Sequence, residues 1–199
     1  MTLDQFRPHV KAYFDPLVSV AVRCGLTPNF FTIAALLASA VAGVLFYLRL
    51  EVWGIVAVAF NALCDAMDGA VAREMKIQSR RGDFLEHAVD RYADIFIITG
   101  IFAGGMVVSW QIGVFALTGV LMASYLGTQA QAVGVGRYYG GLLGRADRLV
   151  LIIVVGIIDL FLPSGIFGLT YLGWMLVIFG TFGHLTAFQR FAFVWRKVK

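Results

Sequence analysis

The sequence predicts an all-α integral membrane protein, in which six transmembrane helices follow a cytoplasmic amphipathic helix at the membrane surface. Three observations support this fold class. Hydrophobic residues make up 60% of the 199 residues, and the mean hydropathy is +0.83, which excludes the soluble classes. The apolar residues fall into six long runs. The basic residues collect on one side of those runs.

The N-terminal residues 3–24 predict an amphipathic helix, because apolar residues recur at every third or fourth position with charges between them. We expect this helix to lie in the headgroup plane, and packing against the underside of the bundle is a compatible alternative. We assign residues 1–25 to this part and residues 30–190 to a six-helix bundle. The whole chain, 1–199, is expected to form one membrane domain.

Six apolar runs give the predicted spans. The first is rich in small residues, at Ala35, Ser39 and Gly43, which permit close helix approach. The second is too short to cross a bilayer alone, so we expect its helix to continue to Ala72. The spans are about Phe30–Leu48, Val52–Leu63, Phe84–Val108, Ile112–Gly134, Leu149–Leu162 and Ile166–Phe188.

The distribution of basic residues predicts the orientation. With both termini on one side, fifteen of the 16 Lys and Arg residues lie on or near that side, and Arg49 alone lies on the other. This bias predicts a multi-pass protein of the plasma membrane with both termini and the acidic residues 65–94 facing the cytoplasm. The basic residues are too scattered to favour nucleic acid as a partner.

Residues 65–94 hold seven of the 12 acidic residues of the chain. They begin at the end of one apolar run and end inside the next. An ionised group at mid-bilayer depth costs about 2.5–3.5 kcal/mol unless it is paired, hydrated or bound to metal. Something must therefore neutralise these residues, which are Asp65, Asp68, Glu74, Asp83, Glu86, Asp90 and Asp94.

The spacing of these acids predicts a metal site. Asp65 and Asp68 are three residues apart and share a helix face, while Glu86 and Asp90 are four apart and share a face of the next helix. Four carboxylates carry a charge of about −4, which two divalent ions match, and hard oxygen ligands suit Mg²⁺, with Mn²⁺ as the alternative.

A notch of small residues lies between the two carboxylate pairs. Gly69 and Ala72 offer bare backbone to a bulky group, and Arg73 follows as a bidentate partner for phosphate. Together with metals, these residues predict a site for a pyrophosphate-linked nucleotide.

The same stretch resembles the CDP-alcohol phosphatidyltransferase motif DxxDGxxARx8Gx3Dx3D. The matching positions are Asp65, Asp68, Gly69, Ala72, Arg73, Gly82, Glu86 and Asp90, with glutamate at position 86 where the family has aspartate. The resemblance implies an enzyme that transfers a phosphatidyl or archaetidyl group from a CDP-linked lipid to a small polar alcohol and releases CMP. It also implies a homodimer.

The resemblance assigns roles by position. It implies that Asp65, Asp68 and Glu86 ligate one metal ion, and that Asp65, Glu86 and Asp90 ligate or flank the second. Asp90 is then also the general base for the attacking hydroxyl. The CDP group would be held by Gly69, Ala72, Arg73 and Gly82, and Asn29 and Thr32 are expected either to touch the nucleotide or to cap a helix.

Glu86 has two interpretations. It is a metal ligand in place of the usual aspartate, or it forms with Asp83 a capping box that opens the third span. Its longer side chain moves the carboxylate, and Mg²⁺ tolerates little error in its bonds of about 2.0–2.1 Å.

Three arginines are candidates for binding the acceptor. Arg137, Arg145 and Arg148 lie on the side of the acidic motif and can form a phosphate-binding patch, which favours a phosphorylated alcohol. Their alternative role is to anchor the chain at the cytoplasmic surface. Similarity to archaeal-type members of the family favours inositol phosphate as acceptor and CDP-archaeol or CDP-diacylglycerol as donor, with glycerol phosphate as the alternative acceptor.

Two other classes of function compete with the enzyme. A cation transporter would place carboxylates at mid-bilayer depth on several helices, whereas these lie at one membrane edge. An inactive scaffold is supported by Glu86 alone. We expect His87 and His184 to pack against neighbours rather than to bind metal, and Asp94 to form a structural hydrogen bond near Arg91 or Tyr92.

Overall fold

The computed structural model describes residues 7–107, 109–138 and 140–198, with side chains from residue 14 onward. These ranges form seven α-helices and contain no β-strand. The all-helical class predicted from the sequence is therefore confirmed, and residues 3–6 of the predicted amphipathic segment lie outside the described ranges. The helices are α1 (Arg7–Arg23), α2 (Pro28–Tyr47), α3 (Glu51–Glu74), α4 (Arg80–Ala103), α5 (Trp110–Ala132), α6 (Arg145–Phe161) and α7 (Tyr171–Lys197).

Four of the described helices, α2, α3, α5 and α7, are long and apolar enough to cross a membrane. Large apolar side chains on them face outward; Leu37 is 61% and Trp53 63% exposed, as expected for groups that contact lipid. Helix α4 carries charged residues through its first half. Helix α6 has 17 residues, and at about 1.5 Å per residue it is shorter than the hydrocarbon core of about 30 Å.

Close backbone contacts join the helices in pairs. A Cβ on Gly100 of α4 would collide with the backbone of Gly43 on α2, and a Cβ on Gly183 of α7 would collide with the backbone of Gly119 on α5. Small residues therefore let these backbones touch, as is typical of membrane helices. The close approach predicted for the first span, with Ala35 and Ser39 buried beside Gly43, is confirmed.

One apolar cluster runs through α2 to α7, and it includes the fully buried side chains of Phe46, Ile98, Leu176 and Phe179. A second, smaller cluster joins α1 to the end of α3 and includes Val18, Ala21, Met67 and Val71. Helix α1 therefore packs against the same end of α3 that carries the acidic motif.

Several predicted helix ends are wrong. Helix α4 ends at Ala103 rather than Val108, because the chain turns at Gly104 and Gly105, and Gly105 has φ +73°. Helix α7 begins at Tyr171 rather than Ile166, since residues 166–169 form a tight turn closed by an isolated bridge. Helix α6 begins four residues earlier than predicted, which places Arg145 and Arg148 on a helix.

The capping box predicted for Asp83 and Glu86 is also wrong. Helix α4 starts one turn earlier, with Ser79 as its N-cap, and the Ser79 side chain accepts a hydrogen bond from the Gly82 N–H at 3.0 Å. The Asp83 N–H donates to the Ser79 carbonyl within the helix. Asp83 and Glu86 consequently both lie within α4, and Glu86 is not needed to cap the helix.

Candidate metal and substrate site

Carboxylates from α3 and α4 meet at one guanidinium. Nη1 of Arg145, at the start of α6, contacts Asp65 Oδ1 and lies 2.6 Å from Asp90 Oδ1. Burial removes the Arg145 guanidinium from water, and the negative charges of Asp65 and Asp90 compensate for that loss. The two helix ends therefore place their carboxylates close enough to share one cation.

Asp68 is buried next to this pair. Its Oδ2 accepts a hydrogen bond of 3.1 Å from Thr32 Oγ1 of α2, and it lies within electrostatic reach of Asp65 and Glu86. Its Oδ1 is buried and has no hydrogen-bond partner among the described residues. A buried carboxylate oxygen without a donor is costly unless something neutralises it. The residues present thus fit a bound cation.

A second group of ligand atoms lies along α4. One atom each from Glu86, His87 and Asp90 lie within 4.8 Å of one another, close enough to hold a metal ion. Among the described residues, Asp65 and Asp68 do not belong to this group of three. His87, which the sequence analysis expects to pack, therefore lies beside two of the predicted ligands, and its Nδ1 is buried without a hydrogen-bond partner in the described chain.

The predicted nucleotide-binding residues flank these carboxylates along the chain. A Cβ on Gly69 would lie 3.1 Å from Arg73 Nη1, so the arginine covers the bare backbone of the glycine. Ala72 is half-buried, and Gly82 lies across the loop 75–79 in the first turn of α4.

The two residues predicted to touch the nucleotide or to cap a helix lie in the first turns of α2. Asn29 is exposed and follows the N-cap position Thr27, so a capping role for Asn29 is wrong. Thr32 is 4% exposed and does not cap the helix; its hydroxyl instead contacts Asp68.

An arginine-lined cavity opens beside Asp90. Its volume is about 120 Å³, and Asp90 and His87 form part of its wall. The three predicted acceptor-binding arginines all line it, together with two others, so its walls carry positive charge suited to an anion. The five arginines are Arg91, Arg137, Arg145, Arg148 and Arg190.

Each of these arginines is held by a nearby acceptor. Arg137 Nη1 donates to Asp83 at 3.0 Å, and Arg148 Nη2 donates to Asp94 at 2.7 Å. Arg190 donates from Nε to the Gly140 carbonyl at 2.8 Å. The guanidinium groups are thus fixed in place around the cavity before any anion enters, which lowers the entropy cost of binding one.

Three basic side chains of this wall were not among the predicted site residues: His87, Arg91 and Arg190. For Arg190 the available signal was a charged side chain inside an otherwise apolar helix, since such a residue usually faces a cavity or a partner. His87 and Arg91 each follow a predicted ligand directly in the sequence. His184, by contrast, stacks on Phe115 with ring centroids 5.0 Å apart, which agrees with the expected packing role.

Comparison with known proteins identifies the family. The sequence model of the CDP-alcohol phosphatidyltransferases matches residues 25–184, which cover most of the chain and all of the acidic motif. This chain belongs to that family. The family consists of transferases that act on CDP-linked alcohols, so the chain is a transferase enzyme, and neither the transporter nor the scaffold alternative is supported.

Relatives within the family include phospholipid synthases. The chain is 31% identical over 176 residues to archaetidylinositol phosphate synthase of Pyrococcus horikoshii, covering 88% of this chain and 93% of the relative. It is 34% identical over 155 residues to phosphatidylinositol phosphate synthase of Mycolicibacterium smegmatis, covering 73% of this chain and 68% of that protein.

Solved structures similar to this chain are also phospholipid synthases. Phosphatidylinositol phosphate synthase of Mycobacterium tuberculosis with CDP-DAG bound has a TM-score of 0.74 to this chain and 26% sequence identity, over 90% of this chain and 92% of the other. The same enzyme in complex with manganese and citrate has a TM-score of 0.75, with 26% identity over 90% of this chain and 88% of the other. Together with the acidic group on α4, the manganese complex supports the use of a divalent metal here.

Proposed function

We propose that this chain transfers a phosphatidyl or archaetidyl group from a CDP-linked lipid to a hydroxyl of inositol phosphate and releases CMP. One observation carries the proposal. Asp90 belongs both to the carboxylate group of α3 and α4 and to the wall of the arginine-lined cavity. A metal-held diphosphate and an anionic acceptor would therefore meet at Asp90.

The donor set suits two Mg²⁺ ions, with Mn²⁺ as a substitute. Asp65, Asp68, Glu86 and Asp90 offer hard oxygen ligands and carry a charge of about −4 when ionised. When bound, such ions stabilise the charge on the attacking and leaving oxygens of a phosphoryl transfer. The orphaned Oδ1 of Asp68 supports this assignment.

In the proposed reaction a hydroxyl oxygen of the acceptor attacks the phosphorus that carries the lipid. Asp90, as general base, takes the hydroxyl proton. The new oxygen–phosphorus bond forms as the bond between that phosphorus and the bridging oxygen breaks, and CMP leaves with the bridging oxygen. The arginines of the cavity hold the phosphate of the acceptor and so orient its hydroxyl.

The CDP group is assigned to the notch on the other side of the carboxylates. Gly69, Ala72 and Gly82 leave room for the nucleotide, and Arg73 donates to its phosphates. Asn29, exposed in the first turn of α2, is assigned to the same nucleotide. For Thr32 the contact with Asp68 supports a different role, which is to orient that carboxylate as a metal ligand.

The membrane arrangement is part of the proposal. We assign α2 to α7 as six spans of one domain, 1–199, with α1 in the cytoplasmic headgroup plane of the plasma membrane. Both termini and the site then face the cytoplasm, where the nucleotide and the acceptor are soluble. In this membrane we expect the chain to be a homodimer.

The experiment is a CMP-release assay with purified protein in detergent. CDP-diacylglycerol or CDP-archaeol is supplied with Mg²⁺ and, separately, inositol phosphate, glycerol phosphate, inositol or serine. We expect CMP to appear with inositol phosphate, to disappear on chelation, and to fall at least 100-fold in D90N, since general-base catalysis is worth about 10²–10⁴-fold. The exposed Asp15 provides a matched control, D15N, that removes a carboxylate elsewhere.

Two outcomes contradict the proposal. Faster release with glycerol phosphate than with inositol phosphate would transfer the assignment to that acceptor, because an arginine-lined wall binds either phosphate. Release that survives chelation, or that D15N and D90N reduce equally, would remove the metal-dependent mechanism.

A further inference from the structure

Asp94 lies one turn beyond Asp90 on α4 and is not part of the proposed metal site. It is 6% exposed. Its Oδ2 accepts the hydrogen bond from Arg148 Nη2 at 2.7 Å and lies 3.8 Å from Arg91 Nε. Both arginines line the cavity, whereas Asp94 does not. The carboxylate therefore lies behind two of the arginines that face the cavity.

The stability of the fold does not account for this arrangement. Arg148 and Asp94 are both almost fully buried, and removing two such charges from water costs about as much as their attraction returns. An apolar pair of similar volume would often be equally stable or more so. A role in placing the arginines is the explanation that the position of Asp94 favours.

Both arginines keep unused donors. The Nε groups of Arg148 and Arg91 are buried and have no hydrogen-bond partner in the described parts of the chain. A phosphate oxygen accepts strongly from such a guanidinium. Asp94 thus occupies one edge of Arg148 and leaves another of its N–H groups without an acceptor.

Asp94 also lowers the repulsion between the two cations. Arg91 and Arg148 lie within electrostatic reach of each other, and the negative charge of Asp94 acts on Arg91 more strongly than Arg148 does. Asp90 Oδ2 also lies 3.5 Å from Arg91 Nη2, but among the described residues only Asp94 contacts both arginines. Without the charge of Asp94, the repulsion between the two guanidinium groups would be less compensated.

We propose that Asp94 is a positioning residue, which holds Arg148 and Arg91 in the geometry that binds the phosphate of the acceptor. The role of that phosphate as part of the acceptor rests on the proposed function. The direct consequence is that removing the charge of Asp94 weakens the binding of the acceptor anion far more than the binding of the metal or the CDP-lipid.

The test is D94N, which preserves the size of the side chain and a hydrogen-bond acceptor but removes the charge. We expect the KM for inositol phosphate to rise at least tenfold, with the KM for the CDP-lipid and the affinity for Mn²⁺ within twofold of the unmodified protein. The D15N control should change none of the three. An equal rise in both KM values, or weaker Mn²⁺ binding, would overturn the proposal.

A double-mutant cycle separates positioning from general damage. If Asp94 acts by holding Arg148 and Arg91, D94N should raise the KM by a smaller factor in the R148Q background than in the unmodified protein, because one of the two arginines that it holds is already absent. Effects of D94N and R148Q that multiply would overturn the proposal. If D94N does not yield folded protein, R148K decides instead. Lysine keeps the charge but cannot donate to Asp94 and an anion from one planar group, so we expect at least a tenfold rise in KM, and no rise would overturn the proposal.

Titration with inorganic phosphate makes the test independent of turnover. We expect the unmodified protein to bind phosphate at least tenfold more tightly than D94N does. Tight binding in the unmodified protein, lost in D94N, would stand even if inositol phosphate gave no CMP, in which case the proposed function alone fails. Equal binding to both proteins would overturn the role of Asp94 whatever the acceptor.

Discussion

The hydrogen bond from Thr32 to Asp68 gives the sharpest prediction about the metal site. Thr32 is 4% exposed on α2 and donates to Asp68 Oδ2 at 3.1 Å, across 36 positions of sequence. We therefore expect Thr32 to orient a metal ligand. The perturbation is T32V, which keeps the shape of the side chain and removes the hydroxyl.

The magnitude follows from the partners of Asp68. Its Oδ1 has no donor among the described residues. T32V would also remove the side-chain donor that contacts Oδ2. A hydrogen bond to a charged group contributes about 1.5–3 kcal/mol. Loss of a residue that orients a metal ligand weakens metal binding about 10–100-fold, which agrees with that range.

The assay is a Mn²⁺ titration of purified protein, in which electron paramagnetic resonance measures the free ion. We expect T32V to bind Mn²⁺ 10–100-fold more weakly (about the effect of losing such an orienting residue), and T32S, which retains the hydroxyl, to bind within threefold of the unmodified protein. Mn²⁺ binding that is unchanged in T32V, with a higher KM for the CDP-lipid, would refute this reasoning. That result would instead support the contact between Thr32 and the nucleotide that the sequence predicts.

Three further predictions concern the same cluster. E86D should keep or raise CMP release, because α4 is capped by Ser79 and does not need the glutamate; loss of activity would remove Glu86 from the ligand set. R145Q should bind Mn²⁺ more tightly, measured by calorimetry, because it removes a cation that contacts Asp65 and Asp90, and weaker binding would contradict this. The same variant should have a higher KM for inositol phosphate, and an unchanged KM would place Arg145 outside the acceptor site.

The local part of the site could be predicted from the sequence. The spacing of Asp65 and Asp68 on one helix, and of Glu86 and Asp90 on the next, defines a shared face whatever the tertiary structure. The apolar composition and the long apolar runs were enough for the all-helical membrane class, and the motif was enough for the family that residues 25–184 confirm.

Contacts between distant parts of the chain could not be predicted. Nothing in the sequence indicates that Thr32 would meet Asp68, or that Arg145 would lie between Asp65 and Asp90. Both depend on how α2 and α6 pack against α3, which is decided by the apolar cluster of the whole bundle. The same holds for Arg190, whose place in the cavity follows from the packing of α7 against α5.

The predicted start of α4 was wrong for a local reason. Ser79 lies three residues before Gly82, and a serine at this distance is a weaker cap signal than the pair Asp83 and Glu86, which resembles a full capping box. The structure begins α4 at Arg80. Because Ser79 caps α4, the Glu86 carboxylate is not needed as a cap and is available as a metal ligand.

The proposed metal site places a pair of divalent ions, held by carboxylates of α3 and α4, between the nucleotide notch and the arginine-lined cavity. The most direct measurement is anomalous scattering at the manganese edge from crystals of the protein grown with Mn²⁺ and CDP-lipid. We expect two manganese peaks, one within ligand distance of oxygens of Asp65, Asp68 and Glu86, and the other beside oxygens of Asp65, Glu86 and Asp90. Manganese found away from these residues, with the diphosphate bound elsewhere, would contradict it.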